Sequence, residues 1–203
     1  MEEKSARIIS YLLHPLLMPT LAMLLLFQQS AYFVMMLPES FRWSLLALIF
    51  GNTFLLPAIL TWIMLKKGLI SSMQIPERSE RTYPFIIAAL SYIVTYFMLS
   101  NIGLPPVYLL FVLGGAVLIV FAAMVNLFWK ISVHMLGIGG LLGGFIGLML
   151  IRQIYSPMLI VILIILGGLT GFARLKLNTH TEAQVYAGFL SGAGIMLGIV
   201  AFL

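Results

Sequence analysis

The sequence predicts an all-α protein, a polytopic transmembrane helical bundle of six to seven spans. Three observations carry that prediction. Hydrophobic residues make up 62% of the 203 and mean hydropathy is +1.13, well above the roughly 45–50% apolar usage of soluble domains. Apolar runs close to the ~20 residues needed to cross hydrocarbon recur along the whole chain. These runs are continuous and rich in Leu and Ile, whereas barrel strands would read as short alternating segments. The expectation is one integral membrane domain over 1–203, with no separate soluble domain.

The first span is expected from about Ile8 to Phe27. Charges precede it and no small-residue cleavage site follows, so it reads as uncleaved. Pro15 and Pro19 predict a kink, because proline frees backbone carbonyls that neighbouring helices must satisfy. His14 reads as a packing or hydrogen-bonding residue. After a loop holding Glu39 and Arg42, a second span is expected from Trp43 to Leu65, its tryptophans at belt positions and its Asn52 and Pro57 turned towards other helices. Residues 66–83 form the longest polar stretch and contain Arg78 and Arg81. A third span starts at Pro84, where the missing amide hydrogen costs nothing, and ends near Leu99. The fourth runs from Val107 to Phe128. Lys130-Ile131-Ser132-Val133-His134 follows, and then a fifth span loaded with Gly137, Gly139, Gly140, Gly143, Gly144 and Gly147, a composition suited to close helix packing. A turn at Arg152–Pro157, a sixth span from Met158 to Phe172, the polar run from Arg174 to Gln184 and a last span from Ala183 complete the chain. The third and sixth runs are short, so six spans with one re-entrant segment is the alternative to seven.

Composition narrows the chemistry. Cysteine is absent, so disulfides and thiolate chemistry are excluded, and aspartate is absent as well. With six glutamates as the only acids, a carboxylate-rich magnesium or di-metal site is not expected. No metal and no cofactor are called for. The net charge of +5 suits anionic lipid headgroups rather than nucleic acid.

Parity brings the polar residues together. The loops after the second, fourth and sixth spans lie on one side of the membrane, and they carry Arg81, His134 and His180. That face offers Arg78, Arg81, Lys130 and Arg174 as cations, the Ser132 hydroxyl and two histidines. Cations and helix-start amides bind phosphate. One neutral imidazole can attack phosphorus while a second, protonated, gives its proton to the leaving oxygen.

This pattern resembles the type 2 phosphatidic acid phosphatase superfamily of integral membrane lipid phosphatases, whose signatures are KxxxxxxRP, PSGH and SRxxxxxHxxxD. Ile131-Ser132-Val133-His134 matches the second at serine and histidine; Ala173-Arg174, His180 six residues on and Gln184 four further match the third. The first is represented only by Arg81 ahead of Pro84. The resemblance implies that His180 is the nucleophile forming a phosphohistidine and His134 the acid. Arg174 and Ser132, joined by Arg81, then cradle the phosphate, with Lys130 in place of the first signature's lysine; Arg78, a cation of the same loop, is expected to bind phosphate by its charge alone. Gln184 stands where the family has aspartate; it can fix an imidazole tautomer but cannot charge-stabilise imidazolium. Glu182 is the only nearby carboxylate, and Val133 replaces the second signature's glycine, restricting the backbone there.

The implied function is metal-independent hydrolysis of an isoprenoid or glycerolipid phosphate or diphosphate. The alternatives are a relative that binds or transports a phosphorylated lipid without cleaving it, and a structural membrane protein. Partners expected are the phosphorylated lipid, the bilayer and, through the glycine-rich span, a second copy of the chain. The expected location is a bacterial inner membrane. Nine of the eleven Lys and Arg residues fall on the motif side, against Arg42 and Arg152, and this bias puts that face in the cytoplasm. Family members often present the site to the periplasm instead.

Overall fold

The computed structural model describes residues 3–151 and 153–202. Arg152, counted above on the face away from the motifs, lies outside them. The described residues form ten α-helices and no strand: α1 Glu3–Leu12, α2 Met18–Phe27, α3 Tyr32–Met35, α4 Glu39–Phe50, α5 Leu56–Lys66, α6 Thr82–Asn101, α7 Pro106–Asn126, α8 Val133–Ile151, α9 Pro157–Lys176 and α10 Glu182–Phe202. They make seven segments long and apolar enough to cross a membrane, beginning with Glu3–Phe27 and Glu39–Lys66 and ending with Glu182–Phe202. The protein is an all-α membrane bundle with the larger of the two span counts. The third and sixth spans are full length, α6 and α9 having 20 residues each, about 30 Å of helix.

Two spans are not continuous α-helix. In the first, Pro15 forces the residue before it out of the helical region, and His14 is accordingly extended at φ −65°, ψ 136°. The expected kink is therefore a break. α1 stops at Leu12, a 3₁₀ turn spans Pro15–Leu17, and α2 resumes at Met18. The Pro15 carbonyl, which accepts the Met18 N–H within the 3₁₀ turn, also receives the hydroxyl of Tyr92 on α6 at 3.5 Å. α1 lies along α9 and buries Ala6 and Ser10, leaving Ile8 and Leu12 exposed. In the second span, Pro57 lacks the N–H that α-helix would require, and Gly51–Leu55 widens into a π turn joining α4 to α5. Pro57 is buried as expected, and Asn52 faces α6 through Met98. Five buried hydroxyls are satisfied along their own spans, as hydrocarbon favours: Thr53, Thr61, Ser91, Thr95 and Thr170 each donate to the carbonyl four residues back.

The most buried span is α8, and α10 packs most closely against it. At Gly139 and Gly143 on α8, an added Cβ would run into the backbone of Phe189 and Ala193; at Gly192 on α10 it would run into the Leu136 carbonyl. Gly137, Gly140 and Gly144 meet Met18, Leu118 and Phe111. The glycine faces of α8 are thus covered within the chain, and a second copy would have to use another surface.

Gly192→Ala is expected to cost about 2 kcal/mol or more, since the obstruction is main chain and cannot rotate away. Gly194→Ala, with nothing within 4 Å, is its control. Thermal unfolding in detergent should show a clear drop for the first and almost none for the second.

Candidate functional site

His180 is held by two helix caps placed back to back. α9 ends in a Schellman motif: Asn178 takes the left-handed conformation at φ 50°, its N–H donates to Leu175 O at 2.9 Å, and the Thr179 N–H donates to Arg174 O at 3.2 Å. α10 begins with a capping box. The Gln184 N–H donates to Thr181 Oγ1 at 3.4 Å, and the Thr181 N–H donates to Gln184 Oε1 at 3.2 Å. His180 is the single residue between Thr179 and Thr181, outside both helices.

The capping box also decides the chemistry of the ring. Because Gln184 Oε1 accepts from a backbone N–H, the atom there must be oxygen. The His180 Nδ1 3.0 Å from that oxygen must therefore carry the hydrogen. Nε2 is left with its lone pair. Gln184 thus fixes the imidazole tautomer, and it does so through the cap of α10, with His180 itself outside the helix. Glu182 is exposed at the start of α10, and among the described residues no hydrogen bond joins it to His180.

The other half of the site is the start of α8. Ser132 accepts the Leu136 N–H at 2.9 Å to open the helix, and its own N–H donates to Gln184 O at 3.4 Å, joining the two signature stretches. Ser132 is fully buried, yet its Oγ has no hydrogen-bond partner among the described residues. Val133 needs no glycine-like freedom, since its φ is not positive. His134 points Nε2 at Ser10 O, 3.1 Å away. A carbonyl can only accept, so His134 carries its hydrogen on Nε2.

The cations gather on the same side. Arg174 sits in the last turn of α9 rather than in a loop; its Nη1 donates to Ser10 Oγ at 3.4 Å, and its Nε is buried without a partner. Arg81 Nε donates to Ile75 O at 3.0 Å, bracing the 67–81 loop. Burial first, then the positive charges of Arg174, Arg81 and Lys130, push His180 down to about 3, although the Gln184 bond works in the opposite direction. Lys130 is lowered by burial and by Arg81 and Arg174, with Glu77 opposing them. Arg78 is not gathered in: it is exposed, and only its carbonyl is engaged, accepting from Asn126 Nδ2 at 3.0 Å. Among the described residues no three His or Glu side chains are grouped to hold a metal ion.

Two site residues escaped the sequence reading. The His14 ring lies 5.5 Å from that of His134, edge to face, and Ser10 binds both His134 and Arg174. The available signal was a histidine directly before proline inside a span. Nothing in the sequence ties residue 14 to residue 134.

No family model matches the chain, and neither the curated proteins nor the solved structures contain a match to it.

The low proton affinity of His180 has a signed consequence. Folded His180 stays neutral down to about 3, whereas an unfolded one takes up a proton near 6.5. This group therefore weakens the folded state as pH falls through that window and has no effect above it. Denaturant titrations in detergent micelles at pH 7 and pH 4.5 should show an acid-induced loss of stability that is smaller in His180→Gln.

Proposed function

We propose that this protein is a metal-independent lipid phosphate phosphatase of the type 2 phosphatidic acid phosphatase kind, acting on an isoprenoid or glycerolipid phosphate or diphosphate. The observation that carries this reading is the His180–Gln184 bond. It leaves a neutral imidazole with a bare Nε2 among Arg174, Arg81 and Lys130. In the reaction, the Nε2 lone pair of His180 attacks phosphorus and the bond to the leaving oxygen breaks. His134, starting with a second proton on Nδ1, gives that proton to the leaving oxygen and keeps its Nε2–H on Ser10, and the product is a phosphohistidine. Water then attacks phosphorus, His134 takes its proton, and inorganic phosphate leaves with His180 restored.

The unpartnered Ser132 Oγ and Arg174 Nε are groups that phosphoryl oxygens would satisfy. Lys130 and Arg81 add charge, and Arg78 stands at the rim. An apolar cavity of about 50 Å³ is bounded by Pro15, Met18, Tyr92, Val133 and Gly137, of which Pro15 and Val133 are the chain neighbours of His14 and His134; no histidine lines it. The membrane we propose is a bacterial inner membrane; the charge count favours a site facing the cytoplasm, while the resemblance favours the periplasm.

One observation favours the second reading, a protein that binds or transports a phosphorylated lipid without cleaving it: the acceptor on His180 is an amide, not a carboxylate. A carboxylate there would stabilise the imidazolium-like charge that develops on attack.

Phosphate release from detergent-solubilised lipid phosphates and diphosphates, with chelator present, separates the two. Under the enzyme reading His180→Ala abolishes release, and Gln184→Glu, which keeps the capping box and adds the charge, raises the rate by about tenfold. Lipid phosphate bound but never cleaved, with affinity lost in Arg174→Ala and kept in His180→Ala, would establish the binding reading instead.

A further inference from the structure

The half-buried imidazole that the proposed chemistry leaves unused is His14. Its surroundings are as constrained as those of the other two histidines. It caps the 3₁₀ turn, with Nδ1 accepting the Leu16 N–H at 3.3 Å; neutral His14 therefore carries its hydrogen on Nε2, and its only lone pair is already committed. Adding a proton to His14 would place an N–H against the Leu16 N–H and break the cap. His134 has the opposite arrangement. Its Nε2–H is already donated to the Ser10 carbonyl, a bond that strengthens when the ring becomes cationic, and its Nδ1 can take a proton without losing that contact.

We propose that His14 is a positioning residue of this site, acting through His134: the two rings form a pair that holds a single proton, and the backbone assigns that proton to His134. The geometry supports each part. The rings are 5.5 Å apart and nearly perpendicular at 78°, so a second positive charge on His14 would oppose the first directly. The charged and titratable neighbours are Arg174 on α9, tied to the same Ser10 that holds His134, and His180 in the α9–α10 turn. Phe54, from the π turn, packs on the other side of His14 with ring centroids 6.2 Å apart and brings no charge. The proton that His134 gives to a leaving oxygen is thus held by an imidazole with one neutral aromatic neighbour fixed in place. The role in catalysis rests on the phosphatase reading; the single-proton pair does not.

With only three histidines in the chain, the test is direct. Protein labelled with ¹⁵N-histidine is titrated from pH 8 to pH 4 in detergent micelles, and the three signals are assigned from His14→Asn, His134→Gln and His180→Gln. His14→Asn retains a side-chain oxygen able to cap Leu16, so the fold is expected to survive with an unaltered melting temperature. The expected result is that His134 takes up the proton while His14 stays the Nε2–H tautomer throughout. His14→Asn removes the ring packed edge-on against His134 and so changes how well water reaches that imidazole; the His134 midpoint should move by about half a pH unit or more. Where phosphate release is measurable, the pH–rate limb should move with it and KM stay constant. An unmoved His134 midpoint in His14→Asn, proton uptake by His14 instead of His134, independent uptake by both, or uptake by neither would each overturn the proposal. Because the titration needs no substrate, these outcomes stand apart from any failure to find phosphatase activity.

Discussion

The close approach of α8 and α10 is the constraint on which the rest of the site depends. Gly139, Gly143 and Gly192 let the two backbones meet where any Cβ would collide with main chain. Without a hydrophobic driving force between helices in lipid, such contact is the main source of cohesion. It also sets the register at the helix starts, where the Ser132 N–H reaches the Gln184 carbonyl. His134 and His180 lie 46 positions apart in sequence, and they share a site because these two helices begin side by side.

Electrostatics then shape what that site tolerates. Arg174, Arg81 and Lys130 all act on His180, and Glu77 is the one acid acting on Lys130. Like charges held together at a membrane surface are costly unless they are solvated or bind an anion. The neutral imidazole in their midst fits this pattern, since a charged one would add to the repulsion. Gln184 matters here for what it lacks. A carboxylate at that position would pull His180 towards the charged form, whereas the amide orients the ring and leaves it neutral.

The fold was largely legible in the sequence because membrane spans announce themselves by length and apolarity. Parity alone brought Arg81, His134 and His180 to one face. Thr181 and Gln184, three apart ahead of an apolar run, form the signature of a capping box, and that signature contains the His180 contact in full. Less could be read where the cause is not local. The break at His14 follows from Pro15, but its meeting with His134 depends on how α1 and α2 settle against α8 and α9. Arg78 and Arg81 both count as site cations in the sequence, and only Arg81 precedes Pro84 in the manner of the first signature. Only the path of the 67–81 loop, braced by the Arg81–Ile75 bond, turns one inward and leaves the other in solvent.

The wide turn at Gly51–Leu55 has an effect on the bookkeeping of its whole span. The buried positions Ile49, Thr53, Pro57 and Thr61 recur every four residues, and in an unbroken α-helix such a row slips sideways by about 40° at each step, about 120° by the last. A π turn takes up one surplus residue, about 100° of rotation, and returns the row to line. The second span therefore carries one more residue than its ladder of regular rungs, and it shows a straight inner edge that its sequence, wound as ordinary helix, would have turned into a spiral.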